Sequence, residues 1–264
     1  RRRDRTAHTL GPRSPPSANA HRWRRPVNHG GGGGGGVAAR TNRSYKLDLI
    51  SRDDCAGGMF PSLDPVDVQP LDLVAFHDTK STGRNPSGLG VHFFVDDYRF
   101  ERVWTQPARY VSRLAEFDCV FTPDFSLYAD MPVPMQLWNV YRSRTLGRIW
   151  QSLGLTVVPT LQWSTPDVST FSLAGLPSGG TVAVSTIGVR NDADATEMWR
   201  RGMQSALDVV QPSRVLHYGK PIFDGWGTAQ VVYYTNPVTA RFDAIKAERR
   251  ALAQHRQPEL EWSE

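Results

Sequence analysis

The sequence predicts an α/β fold: a mainly parallel sheet with covering helices, forming either an incomplete TIM-barrel-like array or an open doubly wound sheet. Three observations point there. Short runs rich in β-branched and aromatic residues recur down the chain, separated by stretches of helical periodicity. The runs are apolar at nearly every position rather than alternating, as in strands covered by helices on both faces. Each run ends abruptly at polar residues: Asp96–Asp97, Asp124, Gln162–Trp163, Ser185–Thr186 and His217–Tyr218. In parallel α/β folds such ends gather on one side, where sites are built.

In chain order, residues 1–46 read as a disordered, basic, Gly-rich tail. The unbroken Gly30–Gly36 run is a flexible spacer, because glycine loses the most backbone entropy on ordering. It lacks the preceding strand and the GxxxxGK[ST] or GxGxxG context of a phosphate loop. One α/β domain then spans 47–255, and 256–264 is a flexible C-terminal tail. The chain opens on Arg1 and its first methionine is Met59, so whether residues 1–58 all belong to the native protein stays open.

Within the domain, the turn-rich Arg52–Pro70 stretch wraps over the core. Strands are expected at Leu73–Phe76, Val91–Val95, Cys119–Phe121, Leu155–Leu161, Val182–Ser185, Val215–His217 and Val231–Tyr234, bounded by Gly, Pro or Asp. Helices fall between them. Pro134–Leu153 carries Trp138, Tyr141, Leu146, Ile149 and Trp150 at helical spacing and stops at Gly154. Asp194–Val210 opens on Asp194 with Glu197, a capping-box-like pair, and Pro212 ends it. Pro107–Phe117 is a shorter helix, and Arg241–Ala253 a charged surface helix. The sequence favours the barrel-like form.

The net charge of +5 hides an asymmetry. Residues 1–46 carry eleven Arg and Lys against the single acid Asp4, a net +10, so the remaining 218 residues are net −5. The basic tail suits nucleic-acid phosphates or another anionic surface. Cys55 and Cys119, far apart and without a CxxC, make neither a zinc cluster nor a disulfide framework. No run of eighteen apolar residues exists, so no membrane partner is expected, and no hydrophobic segment follows the N-terminal charges as in a secretory signal. A reduced, cytoplasmic setting is the expectation.

TPDFSLYADMP, the helix with LWNVYRSRTLGRIWQSLG, LTVVPTLQW and VAVSTIG together resemble a family of domains of unknown function, numbered 4417, found in bacteria, phages and mobile elements. The resemblance runs from about Asp53 to Gly219. It implies a phage or mobile-element context and no chemistry.

Candidate chemistry therefore comes from the strand ends. Asp97 (or Asp96) and Asp124 form a possible carboxylate pair, suited to sharing a proton or metal or to flanking a bond; capping roles for the same acids are the alternative. With His77, Asp78 and His217, oxygen and imidazole donors from three strand ends would suit a divalent metal, the one cofactor considered. Trp163, Tyr218, Trp226 and Tyr128, with Gln162, Asn139 and Lys220, would form an aromatic platform for a sugar or unstacked base. His92 can point into the core, Lys80–Arg84 lies in a polar loop, and Arg144 and Arg148 share a helix face expected to be solvated. The reading is a hydrolase with Asp97, Asp124 and His217 as catalytic groups and Gln162, Trp163 and Tyr218 contacting substrate. The alternatives are a nucleic-acid-associated accessory protein binding through its Arg-rich tail, and a partner-binding protein without chemistry.

Overall fold

The computed structural model describes residues 35–55, 59–165, 171–189 and 192–254. The tail expectations for 1–34 and 256–264 lie outside them. Among the described residues seven strands form: β1 (Asp72–Ala75), β2 (Leu89–His92), β3 (Cys119–Phe121), β4 (Val157–Val158), β5 (Thr181–Ser185), β6 (Arg214–Tyr218) and β7 (Gln230–Tyr234). They make two all-parallel sheets, β1-β2-β3-β4 and β5-β6-β7, linked by the parallel bridge between Thr160 and Ala183. Strand order follows chain order, without the reversal that defines a doubly wound sheet. Among the described residues no ladder joins β7 back to β1, so the array is open.

Residue parity sorts the core into three layers. Leu73, Phe121, Val158, Ala183, Leu216, Tyr218 and Tyr234 pack with one another from strands of both sheets. Val91, Val120 and Val157 instead meet Leu146, Ile149 and Trp150 of α4 (Val133–Ser152), while Val182, Val184 and Val215 meet Trp199, Met203 and Ala206 of α5 (Ala193–Val210). Burying each such side chain contributes roughly 1.5–3 kcal/mol. The Tyr234 hydroxyl donates to Pro70 O at 2.7 Å, tying the last strand to the segment that enters the first.

Helix ends follow local chemistry. After α4, Gly154 takes φ +87, a left-handed conformation that only glycine adopts cheaply. The N-cap of α5 is Asp192, not Asp194: its Oδ1 accepts from the N–H groups of Asp194 and Ala195. After the short helix α2 (Arg102–Thr105), the expected Pro107–Phe117 helix divides into a 3-10 turn, Pro107–Tyr110, and the short helix α3 (Val111–Leu114).

Gly35–Ser44, within the stretch expected as tail, is helical (α1). Lys46 is buried and donates to Thr105 O with its ammonium over Trp104, and Tyr45 O accepts from the Tyr141 hydroxyl. The arginines of α4 are not solvated either. Arg148 pairs with Asp54 and Asp64, and the fully buried Arg144 donates to Ser172 O and Ala174 O. This corrects the expected solvated face: backbone carbonyls beyond β4 accept from Arg144, and carboxylates of the turn-rich entry segment pair with Arg148, all remote in sequence.

Candidate active site

The ends of β3 and β4 are locked side by side. Thr122 Oγ1 accepts from the Thr160 N–H at 2.8 Å, and Thr160 Oγ1 donates to Thr122 O at 2.7 Å. Two residues beyond each threonine of this clamp stand Asp124 and Gln162. Gln162 Nε2 donates to Asp124 Oδ1 at 2.7 Å and to Phe125 O at 2.9 Å, which fixes the carboxyl at the strand ends.

The chain after Asp124 is held from below. Asp97 Oδ1 and Oδ2 accept from the Ser126 N–H, and Oδ1 also accepts from the Ser126 hydroxyl at 2.9 Å. Asn139 Nδ2 donates to Ser126 O, and Arg142 donates to Asn139 Oδ1 and to both oxygens of Glu101. The Arg142 guanidinium lies 3.7 Å from the Phe125 ring centroid. Asp97 thus has its hydrogen bonding engaged in orienting the loop that carries Asp124.

Above these residues opens a cavity of about 520 Å³. Asp96, Asp124, Gln162, Trp163 and Ser185 line it from the strand ends, Leu127 and Tyr128 from the loop after β3, and Ala195, Met198 and Trp199 from α5. Trp163 and Trp199 lie 5.7 Å apart between ring centroids. Trp163 fits against α5 because position 202 is glycine: a Cβ there would stand 2.1 Å from Trp163 Nε1. Among the described lining residues are two acids and no Lys, Arg or His.

Burial raises the Asp124 carboxyl to about 7; the Gln162 hydrogen bond opposes this, and the nearby Asp97 charge adds to it. Asp97 is also raised by burial, against the Ser126 hydrogen bonds and the Arg142 charge. A carboxyl titrating near neutral pH in a cavity wall can give or take a proton under working conditions.

Of the residues singled out from sequence, the structure brings Asp124, Gln162 and Trp163 together in this cavity, with Asp97 directly beneath. Tyr218 does not line it; its ring packs inside the sheets against His92 and against Phe94, which does. His217 points the other way, into the layer beneath α5 with Trp199, Trp226 and Tyr233, and burial lowers it to about 4. It is one residue out of phase with Leu216 and Tyr218. The expected meeting of Asp97, Asp124 and His217 around one hollow is therefore not formed. Trp226 shares the His217 layer, and His77 sits beside Asp78 at the end of β1. Among the described residues, no three His, Cys, Asp or Glu side chains gather into a metal-ligand set, so the divalent-metal expectation has no donor cluster behind it. Sequence reasoning missed Trp199 and Met198 as cavity residues, since helical periodicity marks only the buried face. It missed Gly202, whose signal was a glycine inside a helix.

The geometry defines an open, parallel α/β domain with an acid-bearing cavity at the carboxyl ends of its strands. The chain belongs to the family described as Domain of unknown function (DUF4417), whose model matches residues 56–228. It is 43% identical over 161 residues to the Gene 1 protein of Mycobacterium phage L5, covering 61% of this chain and 70% of that protein. It is 44% identical over 161 residues to the Gene 1 protein of Mycobacterium phage D29, covering 61% of this chain and 60% of that one. No solved structure matches. Among the described residues no helix is long and apolar enough to cross a membrane.

Proposed function

We propose that the cavity is the site of a hydrolase in which Asp124 exchanges a proton with water or substrate. The observation that supports this reading is the Asp124 carboxyl itself: in a cavity wall, oriented by Gln162, with burial holding it at about 7. Asp96 is the second carboxylate of the lining, Asp97 orients the loop through Ser126, and Trp163 offers a flat contact for substrate. Proton transfer by a positioned carboxyl is worth about 10²–10⁴-fold in rate. The test is a screen of chromogenic ester, amide and glycoside substrates with wild type and Asp124→Asn, folding checked by circular dichroism. Hydrolysis lost in the folded variant supports the proposal; hydrolysis unchanged by the substitution rejects it.

A second reading rests on charge. Eleven basic residues against one acid in residues 1–46 suit a nucleic-acid-associated accessory protein. Deleting residues 1–34 and titrating DNA at two salt concentrations tests it: affinity and salt dependence unchanged by the deletion would remove the tail from the account.

A further inference from the structure

The spare hydrogen-bonding capacity of the cavity is one-sided. Its donors are largely committed within the protein: Gln162 Nε2 to Asp124 and Phe125 O, the Ser126 hydroxyl to Asp97, the Ser164 hydroxyl to Gln136 Oε1, and Trp199 Nε1 to Ser185 O. What remains is mostly acceptors. Asp96 and Asp124 are carboxyls in the lining, Asp96 with one oxygen 3.8 Å from Arg99 Nε, and Gln162, only 6% exposed, keeps an Oε1 without a partner among the described residues. The hydroxyls of Ser185 and of Tyr128 at the rim can act either way.

Anions find little here. Among the described residues no basic side chain lines the cavity, and where α5 approaches it through Ala195, the N–H groups of Asp194 and Ala195 are taken by Asp192. The walls are Trp163, Trp199 and Tyr128, whose ring faces attract cations, together with the apolar Leu127, Leu161, Val184 and Met198.

Resting on the reading of this cavity as the site, we infer that its ligand is an organic cation, an ammonium, amidinium or guanidinium group carried on an apolar body. The cation sits between the Asp124 and Asp96 carboxylates and the tryptophan faces, and its donors meet the open acceptors. Among the described residues the charged groups near Asp124 are Asp97 and Asp96, in the chain after β2, with Gln162, after β4, as its hydrogen-bond donor; Arg99 pairs with Asp96, and Arg142 and Glu101 act on Asp97. A bound cation therefore draws Asp124 to its ionised form and displaces a proton.

The test is calorimetry on the full chain with benzamidinium and with benzamide, its uncharged near-isostere, in two buffers of different ionisation enthalpy at pH 6.5. Benzamidinium is expected to bind about tenfold or more tightly than benzamide and to release a proton. Asp124→Asn abolishes the release and most of the preference. Asp96→Asn, at an exposed position, weakens benzamidinium and leaves benzamide unchanged. Equal affinities, tighter benzamide or proton uptake overturns the inference. If benzamide binds as well while Asp124-dependent hydrolysis of uncharged substrates persists, the ligand class is wrong and the site stands. If neither compound binds and no Asp124-dependent activity exists, both fall.

Discussion

Gln162 Nε2 donates to Asp124 Oδ1 at 2.7 Å, joining the ends of β3 and β4 at the wall of the cavity. This bond favours the ionised carboxylate, whereas burial opposes it, and burial wins. Gln162→Leu removes the donor, so the Asp124 midpoint moves above about 7. The change also leaves Phe125 O without its Gln162 donor, and costs about 1–3 kcal/mol. Carbon-13 carboxyl titration and urea unfolding check the two effects; a midpoint that falls would contradict the assignment.

Asp124 sets a pH dependence of stability. Its folded-state value is raised from 3.8 to about 7, so its contribution is fully present below pH 4 and is lost as pH rises to 7. Asp124→Asn cannot ionise and escapes the loss. The variant is expected to be more stable than wild type at pH 8, by roughly 2–4 kcal/mol. Unfolding at pH 5 and pH 8 measures this, and a variant less stable than wild type at pH 8 contradicts it.

Gly202→Ala sets helix propensity against packing. Alanine favours a helix by about 1 kcal/mol, yet its Cβ would stand 2.1 Å from Trp163 Nε1. Trp163 must leave α5, and overpacking of this kind costs about 1–3 kcal/mol. The expected result is net destabilisation with altered tryptophan fluorescence. Trp163→Leu in the same chain restores stability and not ligand binding.

Arg142→Met tests the support under the site. It removes the bonds to Glu101 and Asn139 and the cation over Phe125, costing about 1–3 kcal/mol. It also withdraws the charge that lowers Asp97, so Asp97 titrates higher than in wild type. Hydrogen exchange of the Ser126 amide, which Asp97 accepts, should accelerate; unchanged protection would show that the loop stands without Arg142.

Much of the scaffold was legible. All seven strands fall where short apolar runs end at polar residues, and α4 and α5 follow their periodicity. Asp124, Gln162 and Trp163 were legible for the same reason: strand ends in a parallel array share one side. The facing of His217 was not. Val215 and Leu216 are both fully buried, on opposite faces of β6, so the pattern has no polar phase to show which face His217 takes. Nor was the burial of Arg144, whose partners Ser172 and Ala174 are remote in sequence. Asp97 and Asp124 looked alike as strand-end acids. Only the fold shows that Ser126 occupies the first and that the second lines the cavity.

The most direct measurement is the carbon-13 titration of the Asp124 carboxyl in the full chain, assigned by its absence in Asp124→Asn. The account predicts a midpoint of about 7 that falls when benzamidinium is added. An ordinary carboxylate midpoint near 4, unmoved by the cation, would contradict it.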